Sequence, residues 1–226
     1  MLLGDAVLHL ASSGVRTHSL SILPMVQQLL QQAGIGLGDC AAIAYGCGPG
    51  SFTGVRTACG IAQGLAFGAA LPVVPVVTLA AMALACRQRE AAIEGATDVT
   101  TEVLAVLDAR MGEVYWAQYA VDAAGGCKVL VAPTLSAPAE VRLSALPGAM
   151  LACGNGLAAY AEAFEGWCSM QPDIMPHAIE IGQLARSAFR AGSVLSAAEA
   201  QPLYLRNKIA YTSAERQAMR AAQDGS

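Results

Sequence analysis

Paired ligand and catalytic motifs are absent from this sequence. Its three histidines, His9, His18 and His177, are too far apart to form an H-x-x-x-H or H-E-x-x-H motif, which removes the ligands that a zinc peptidase needs. The seven cysteines include no C-x-x-C pair. That spacing argues against a zinc ribbon or a disulfide framework and favours a reduced, cytoplasmic setting. A Gly-Lys-Ser/Thr motif is also missing, so the chain has no P-loop.

Positive charge is scarce as well. The chain has 13 Lys plus Arg against 17 Asp plus Glu, which is a formal net charge of -4. Such a balance lacks the electrostatic footprint of a protein that holds a nucleic-acid backbone by itself. If a nucleic acid is involved, we therefore expect another subunit to supply most of the contact.

Charge is absent altogether from residues 57–86, a run of thirty residues that is long enough to span a membrane. Pro72 and Pro75 interrupt this run, and its pattern fits a helix, a short strand and a second helix of a buried α/β layer better. The first residues lack a basic segment followed by an apolar core, so a secretory signal is not expected. We expect a cytoplasmic protein without membrane contact.

What the sequence does contain is a mixed α/β pattern. At 226 residues and 55% hydrophobic, the chain can form one large domain or two lobes with a sizeable core. Periodicity and turn residues predict strands at 6–10, 40–45, 72–77, 102–107, 113–121, 128–131 and 150–153, and helices at 17–32, 53–68, 78–89, 139–146, 155–164 and 178–192. Apolar periodicity lapses over residues 90–101, which predicts an N-terminal unit (1–98) and a C-terminal unit (99–226).

The segment 46–56, GCGPGSFTGVR, has the pattern of a glycine turn between a strand and a helix. Gly48 and Gly50 permit close backbone approach, and Ser51 or Thr53 can cap the N–H groups of the helix. One interpretation is an anion site, since unpaired N–H groups and the helix dipole attract negative charge. The other is a connection that needs glycine for its geometry alone, and no acidic residue ends the next strand to bind the ribose of a dinucleotide.

The helix predicted for residues 53–68 contains Gly54, Gly60, Gly64 and Gly68. Each glycine costs about 1 kcal/mol of helix propensity relative to alanine. The last three lie four residues apart and so line one face, while apolar residues occupy most of the remainder. Such a helix is expected to be buried on more than one side. Either this chain covers both sides, or one side is a contact surface for a partner.

These stretches together resemble the TsaB family (also called YeaZ), bacterial subunits of the machinery that makes threonylcarbamoyladenosine in tRNA. The resemblance rests on segment 46–56 and on residues 60–68 (GIAQGLAFG), and it extends over nearly the whole chain. Further matching stretches are RTHS at 16–19, LPM at 23–25, LDARMGEVY at 107–115, GNG at 154–156 and PLYLR at 202–206, with Ala210 near the end. The eleven residues of the central segment are far more specific than a lone glycine pattern.

The resemblance implies an α/β fold of two RNase H-like lobes, as in the actin/Hsp70 ATPase-like superfamily. Members of the family begin with a strand that carries an Asp-Thr-type motif, whereas this sequence begins where the family leaves its second strand. We therefore expect the first lobe to lack its first strand, through a late start position or as a truncated variant. This expectation removes support for a phosphate site at that hairpin.

The same resemblance implies a noncatalytic scaffold subunit that binds the catalytic paralogue TsaD and works with a TsaE-type ATPase. That complex uses ATP to add threonylcarbamoyl to adenosine next to the anticodon of tRNA, so no cofactor is assigned to this chain itself, and contact with tRNA is expected only through the complex. The expected partner face lies on the first two helices and comprises His18, Ile22, Leu23, Val26, Arg56, Gly60, Gln63, Gly64 and Phe67. A homodimer through the same face is a further expectation, because exposed apolar helices associate.

The alternative is a stand-alone nucleotide-binding ATPase or a peptidase-like enzyme. The turn that contains Asp108, Arg110 and Glu113 has no histidine, serine or lysine to complete a nucleophile and base pair. A salt-bridged turn is the simpler interpretation of these charges. Turnover of ATP by the isolated chain, lost on substitution of Gly50 or Arg56, would support the enzyme.

The remaining polar residues receive structural interpretations. Asn155 is expected to cap a helix, and His177 is expected at a helix entry. Arg206, Lys208 and Arg216 are expected in a C-terminal tail that is solvated or touches a partner.

Overall fold

The first half of the chain forms the predicted succession of strands and helices, but the strand predicted at 6–10 is only Ala6–Val7 and pairs with Leu2–Leu3 in a short hairpin. A computed structural model describes residues 1–12, 18–95, 98–144, 150–166 and 169–206. The elements of this half are β1 (Leu2–Leu3), β2 (Ala6–Val7), α1 (His18–Ala33), β3 (Ile43–Gly48), α2 (Phe52–Ala69), β4 (Val73–Val77) and α3 (Thr78–Glu94).

The second half begins with a three-stranded meander. Its elements are β5 (Thr101–Arg110), β6 (Glu113–Val121), β7 (Cys127–Ser136), β8 (Met150–Cys153), α4 (Asn155–Ala159), β9 (Met170–Gln171) and α5 (Ala178–Arg190). Short 3-10 turns occur at Leu37–Asp39, Pro138–Glu140, Ala161–Phe164 and Ala197–Glu199. The mixed α/β class predicted from the sequence is confirmed.

The strands form one larger sheet and two small ones. In the larger sheet the order is β7-β6-β5-β8-β9, with β5 antiparallel to β6 and parallel to β8. In the first half, β3 pairs with β4 in parallel, and β1 pairs with β2 as an antiparallel hairpin. Among the described residues, no strand pairs with the other edge of β3.

Helices and sheets alternate in layers. On one side of the β3-β4 pair, Tyr45 and Cys47 pack against Cys59, Ala62 and Ala66 of α2. α5 covers the opposite side of that pair, and α3 covers the near side of the larger sheet. The far side of the larger sheet is closed by α4 and the 3-10 turn Ala161–Phe164. Two helices, α3 and α5, therefore separate the two sheets.

The predicted division at residues 98 and 99 stays a prediction. Beyond that point the chain returns to the first half, because Ile181 and Ala185 of α5 pack against Val74 and Val76 of β4. Leu195 also forms a two-way backbone bridge with Val73, with both N···O distances at 2.9 Å.

Several element boundaries predicted from the sequence are wrong. α3 continues to Glu94, so the segment between the two units, which was predicted to begin at residue 90, begins after residue 94. The predicted helix 139–146 is a single 3-10 turn at Pro138–Glu140 with no helix at 141–144, and residues 145 and 146 lie outside the described residues. Gln118 holds Ser144 instead. The backbone N–H of Ser144 donates to the side-chain oxygen of Gln118 at 2.8 Å.

The predicted helix 155–164 is also interrupted. Tyr160, with φ −132° and ψ 48°, separates α4 from the following 3-10 turn. The two-residue strands β1 and β9 were not predicted, because two residues carry too little periodicity to be recognised. Of the described helices, none is both long enough and apolar enough to cross a bilayer.

Candidate partner-binding surface

The glycine turn between β3 and α2 places the start of α2 at the protein surface. Ser51 is the N-cap, since its hydroxyl oxygen accepts from the Gly54 N–H at 3.1 Å and its carbonyl accepts from the Val55 N–H at 2.9 Å. Thr53 lies exposed in the first turn of the helix. The predicted cap is therefore confirmed at Ser51.

The turn is also tied to the rest of the molecule. Gly48 has a φ of +109°, and a Cβ placed there would lie 3.1 Å from the carbonyl oxygen of Leu203. The Leu203 N–H donates to the Cys47 carbonyl at 2.7 Å, and the Thr78 hydroxyl donates to the Pro49 carbonyl. These contacts account for glycine at position 48 by geometry. The anion site at Gly48, Gly50, Ser51 and Thr53 stays a prediction.

Arg56 is held in one orientation by two aromatic rings. Its guanidinium carbon lies 3.4 Å from the ring centre of Phe52 and 5.3 Å from that of Tyr204. Its Nε donates to the Tyr204 hydroxyl at 2.6 Å. No carboxylate forms an ion pair with Arg56 in the described part of the chain. At the start of α2, an oriented positive charge therefore stands without an acidic partner among the described residues.

The glycines of α2 form an uncovered stripe. The buried face of the helix consists of Val55, Cys59, Ala62 and Ala66. The three stripe glycines are Gly60, Gly64 and Gly68, and a Cβ placed at any of them would meet no atom of the described residues within 4 Å. The described residues thus cover α2 on its sheet side and leave the glycine side open. The alternative in which this side is a contact surface for a partner stays a prediction.

The stripe is flanked by an exposed apolar ring. Phe67 is 83% exposed. Gln63, which was expected on the same face, is instead half-buried and donates to the Ala200 carbonyl at 2.9 Å. That bond ties α2 to the 3-10 turn Ala197–Glu199, so the side chain of Gln63 has a partner within the chain.

The residues of α1 that were predicted to form the partner face do not all lie on one side of the helix. Ile22 and Val26 are half-buried and line a cleft between α1 and α2, whereas Leu23 is exposed. Leu20, which the sequence analysis did not select, is 77% exposed. His18 begins α1, and its side chain lies outside the described residues.

Two residues beside Arg56 on this candidate surface, Phe52 and Tyr204, were not predicted from the sequence. Phe52 lies four residues before Arg56, a helical spacing that places both side chains on one face and could have identified it. Tyr204 reaches Arg56 from a position 148 residues further along the chain, and no local signal predicts such a contact.

The charged turn between β5 and β6 is a salt-bridged turn, as predicted. Arg110 pairs with Asp108 at 3.1 Å, whereas Glu113 pairs at 2.5 Å with Arg206. Asn155 does not cap α4 as expected, because the N-cap is Gly154 and the Asn155 side chain accepts from the Asp108 N–H at 3.0 Å. His177 precedes α5, as expected of a helix-entry residue.

Arg206 does not belong to a solvated tail. Its side chain is only 15% exposed. Besides Glu113, it donates to the carbonyl oxygen of Ala109 at 3.0 Å. Lys208 and Arg216, assigned to the same tail, lie outside the described residues.

The buried side chains near the glycine turn are held in their neutral forms. Burial raises the pKa of the Cys47 thiol to about 11, and burial also raises the pKa of the Tyr45 hydroxyl. Neither group is therefore prepared to act as a nucleophile at neutral pH. In the described ranges, no three His, Cys, Asp or Glu side chains converge on a common point that could hold a metal.

The family model and the sequence relatives that match this chain all concern the threonylcarbamoyl modification of tRNA adenosine. The family model described as TsaD, tRNA N6-adenosine threonylcarbamoyltransferase, matches residues 7–220. The chain is 40% identical over 201 residues to the tRNA threonylcarbamoyladenosine biosynthesis protein TsaB of Escherichia coli K12, a match that covers 87% of this chain and 84% of that protein. It is 35% identical over 210 residues to TsaB of Haemophilus influenzae Rd, with 90% and 86% covered.

Solved structures agree with these sequence relatives. A Pseudomonas aeruginosa structure described as YeaZ superposes with a TM-score of 0.76 at 34% identity, over 84% of this chain and 85% of that chain. A second structure from the same organism, described as an uncharacterized protein with similarity to peptidase YEAZ, gives the same TM-score at 35% identity and the same coverage. The RNase H-like fold expected from the resemblance is consistent with these neighbours.

Proposed function

Because the chain belongs to the TsaB (YeaZ) family, we propose that it takes part in the biosynthesis of threonylcarbamoyladenosine in tRNA, as a noncatalytic subunit that binds a TsaD-type catalytic paralogue. The relatives that match most of its length are TsaB proteins of that biosynthesis. ATP and a TsaE-type ATPase belong to the complex in this proposal, and the site of action is the cytoplasm.

The observation that carries the proposal is the open face of α2. Three glycines at four-residue spacing let a partner helix approach the backbone closely, and such contact offsets the helix propensity that the glycines forgo. Phe67 offers an apolar contact at one end of this face. At the other end, the oriented guanidinium of Arg56 is suited to an acidic group on the partner.

The charge of the chain supports an indirect contact with tRNA. A formal net charge of -4 does not favour association with phosphates. In this proposal the chain organises a partner protein, and that partner contacts the tRNA and catalyses the modification. Buried, protonated thiol and phenol groups near the turn agree with a noncatalytic role.

Replacing Gly64 by leucine tests this proposal. The new side chain meets no atom of the described residues in the isolated chain, and leucine has a higher helix propensity than glycine, so the unfolding midpoint should be retained or raised, while a closely packed partner helix would be displaced. We expect Gly64→Leu to weaken binding to the TsaD-type protein at least about tenfold in calorimetry, a loss of about 1.4 kcal/mol. Light scattering of the mixture reports the stoichiometry.

The matched control is Ala92→Leu, an exposed position on α3 away from this face. It should bind like the unchanged chain. Equal loss of binding and of fold stability in Gly64→Leu would refute the interface assignment. Loss of a homodimer with unchanged binding of the TsaD-type protein would assign the face to self-association instead.

A further inference from the structure

The backbone around Tyr204 is attached to both halves of the molecule. On one side of Tyr204, the Leu203 N–H donates to the Cys47 carbonyl of β3 at 2.7 Å. On the other side, Arg206 donates to the Glu113 carboxylate at 2.5 Å. The Tyr204 side chain therefore has a defined position beside the start of α2, although it is far from that helix in the sequence.

Tyr204 and Phe52 form a support for the guanidinium of Arg56. The two ring centres are 6.2 Å apart, and the ring planes are tilted by 39°. The guanidinium carbon lies over the Phe52 ring at 3.4 Å, while its Nε donates to the Tyr204 hydroxyl at 2.6 Å. One ring therefore fixes the plane of the guanidinium, and the other fixes its rotation within that plane.

This arrangement uses only one edge of the guanidinium. An arginine side chain has N–H donors on Nε and on both terminal nitrogens. Those of the terminal nitrogens have no hydrogen-bond partner among the described residues. Phe52, Arg56 and Tyr204 are all exposed, so the terminal nitrogens can be reached from outside. Two parallel N–H groups of this kind match the two oxygens of one carboxylate.

The position of Arg56 on α2 indicates where such a carboxylate would come from. Phe52 and Arg56 continue the row of Gly60, Gly64 and Gly68 at four-residue spacing, and side chains in such a row are neighbours. Helical side chains point toward the N-terminus, which agrees with the position of the guanidinium over Phe52. A partner helix lying along the open glycines would reach the guanidinium about one to two turns, or about 5–11 Å, beyond Gly60.

We propose that Tyr204 is a positioning residue of the partner-binding face. Together with Phe52, it orients Arg56 for a two-point contact with one Asp or Glu of the partner helix, about one to two turns from the residue that faces Gly60. This inference rests on the proposed function, because it specifies the chemistry of the partner at the same face. Through the attachment of Arg206 to Glu113, the second half of the molecule contributes to an affinity that is expressed on α2.

The test is calorimetric binding of the full chain to the TsaD-type protein. We expect Arg56→Ala to lose at least about tenfold in affinity and to show a weaker dependence on salt concentration. Arg56→Lys should lose nearly as much, since a single ammonium cannot make the two-point contact. Tyr204→Phe keeps the ring and removes the hydroxyl, and it should lose about threefold or more.

The combination of both changes separates positioning from a direct contact. If Tyr204 acts through Arg56, then Tyr204→Phe should cause no further loss of affinity when it is added to Arg56→Ala. In the isolated chain, NMR should find slow solvent exchange of the Arg56 Nε–H and faster exchange in Tyr204→Phe. A merely structural role of Tyr204 would predict neither result.

The matched control is Tyr160→Phe. The Tyr160 hydroxyl also bonds a charged group, since it donates to the Asp108 carboxylate at 3.2 Å, but it lies on the second half. Removing it should leave the affinity unchanged. Unfolding in urea should show that Tyr204→Phe remains folded, because its hydroxyl lies at the surface, where water can replace it.

Several outcomes would overturn this inference. If Gly64→Leu weakens binding while Arg56→Ala does not, the proposed function stands and the role of Arg56 fails. An equal loss from Tyr204→Phe with and without Arg56 would make Tyr204 a direct contact. Binding of tRNA by the isolated chain that Arg56→Ala abolishes would assign the guanidinium to a phosphate. Absence of binding between the unchanged chain and the TsaD-type protein would overturn both the proposed function and this inference.

Discussion

Cys47 shows how its position in the fold sets the chemistry of a single side chain. Its thiol is buried between β3 and α2, and burial raises its pKa from 9.0 to about 11. Between these two values the unfolded chain releases the proton while the folded chain retains it. Deprotonation therefore stabilises the unfolded state, and the free energy of unfolding falls as pH rises through this window.

Replacing Cys47 by alanine should remove this pH dependence. We expect the stability difference between the unchanged chain and Cys47→Ala to shrink by about 2 kcal/mol from about pH 8 to about pH 11, measured by urea unfolding. Val55→Ala removes buried volume nearby without removing an ionisable group, so its deficit should stay constant. Parallel pH profiles for the unchanged chain and Cys47→Ala would contradict the assignment.

At the scale of the element, α2 contains glycines that neither the backbone conformation nor the space left by the described residues requires. Gly60 and Gly68 have negative φ, and a Cβ added at either position would lie more than 4 Å from the other described residues. Gly154, before α4, is the opposite case, with a φ of +107° and a Cβ position that collides with the Val106 carbonyl. The two kinds of glycine should respond oppositely to the same substitution.

Gly60→Ala and Gly68→Ala should each stabilise the isolated chain by about 1 kcal/mol, because alanine has the higher helix propensity. Gly154→Ala should destabilise it by about 2 kcal/mol or more, since both the backbone conformation and the space forbid a side chain. Thermal and urea unfolding measure both effects. Destabilisation by the two helix substitutions would show that the stripe is covered within the chain.

At the scale of the whole molecule, residues 200–206 connect the two halves. On the first half, Tyr45 donates to the Gln201 carbonyl at 3.0 Å, and Arg56 donates to Tyr204. On the second half, Arg206 donates to Glu113 at 2.5 Å. A segment expected as the start of a tail therefore contributes to the packing of β3, α2 and the β5-β6 turn.

Arg206→Ala should destabilise the protein by about 2 kcal/mol or more, because it leaves Glu113 and a carbonyl without a donor in a partly buried site. Arg206→Lys should restore only part of this loss, since one ammonium cannot reproduce the spread of guanidinium contacts. The control is Arg89→Ala at the solvent-exposed pair with Asp173, where no measurable change is expected in urea unfolding. Equal effects at the two sites would contradict the role of residues 200–206.

The sequence by itself determined the elements whose signals are local. Long periodic segments such as α2 and β6 were predicted close to their observed bounds, and the Ser51 cap followed from the chemistry of segment 46–56. That segment also identified the family, because its glycine turn and cap occupy consecutive residues. Predictions were wrong where the pattern was short, as at residues 139–146, because a distant partner such as Gln118 decides the local conformation.

Only the tertiary structure decided which surfaces are covered and which charges are paired. Periodicity placed Gly60 and Gly64 on one face of α2 but could not tell that the described residues leave this face open. It likewise could not place Tyr204 on Arg56 or Arg206 on Glu113, contacts between residues 148 and 93 positions apart. Periodicity records the polarity of each face of an element, whereas burial and pairing depend on residues that the fold brings together from distant parts of the chain.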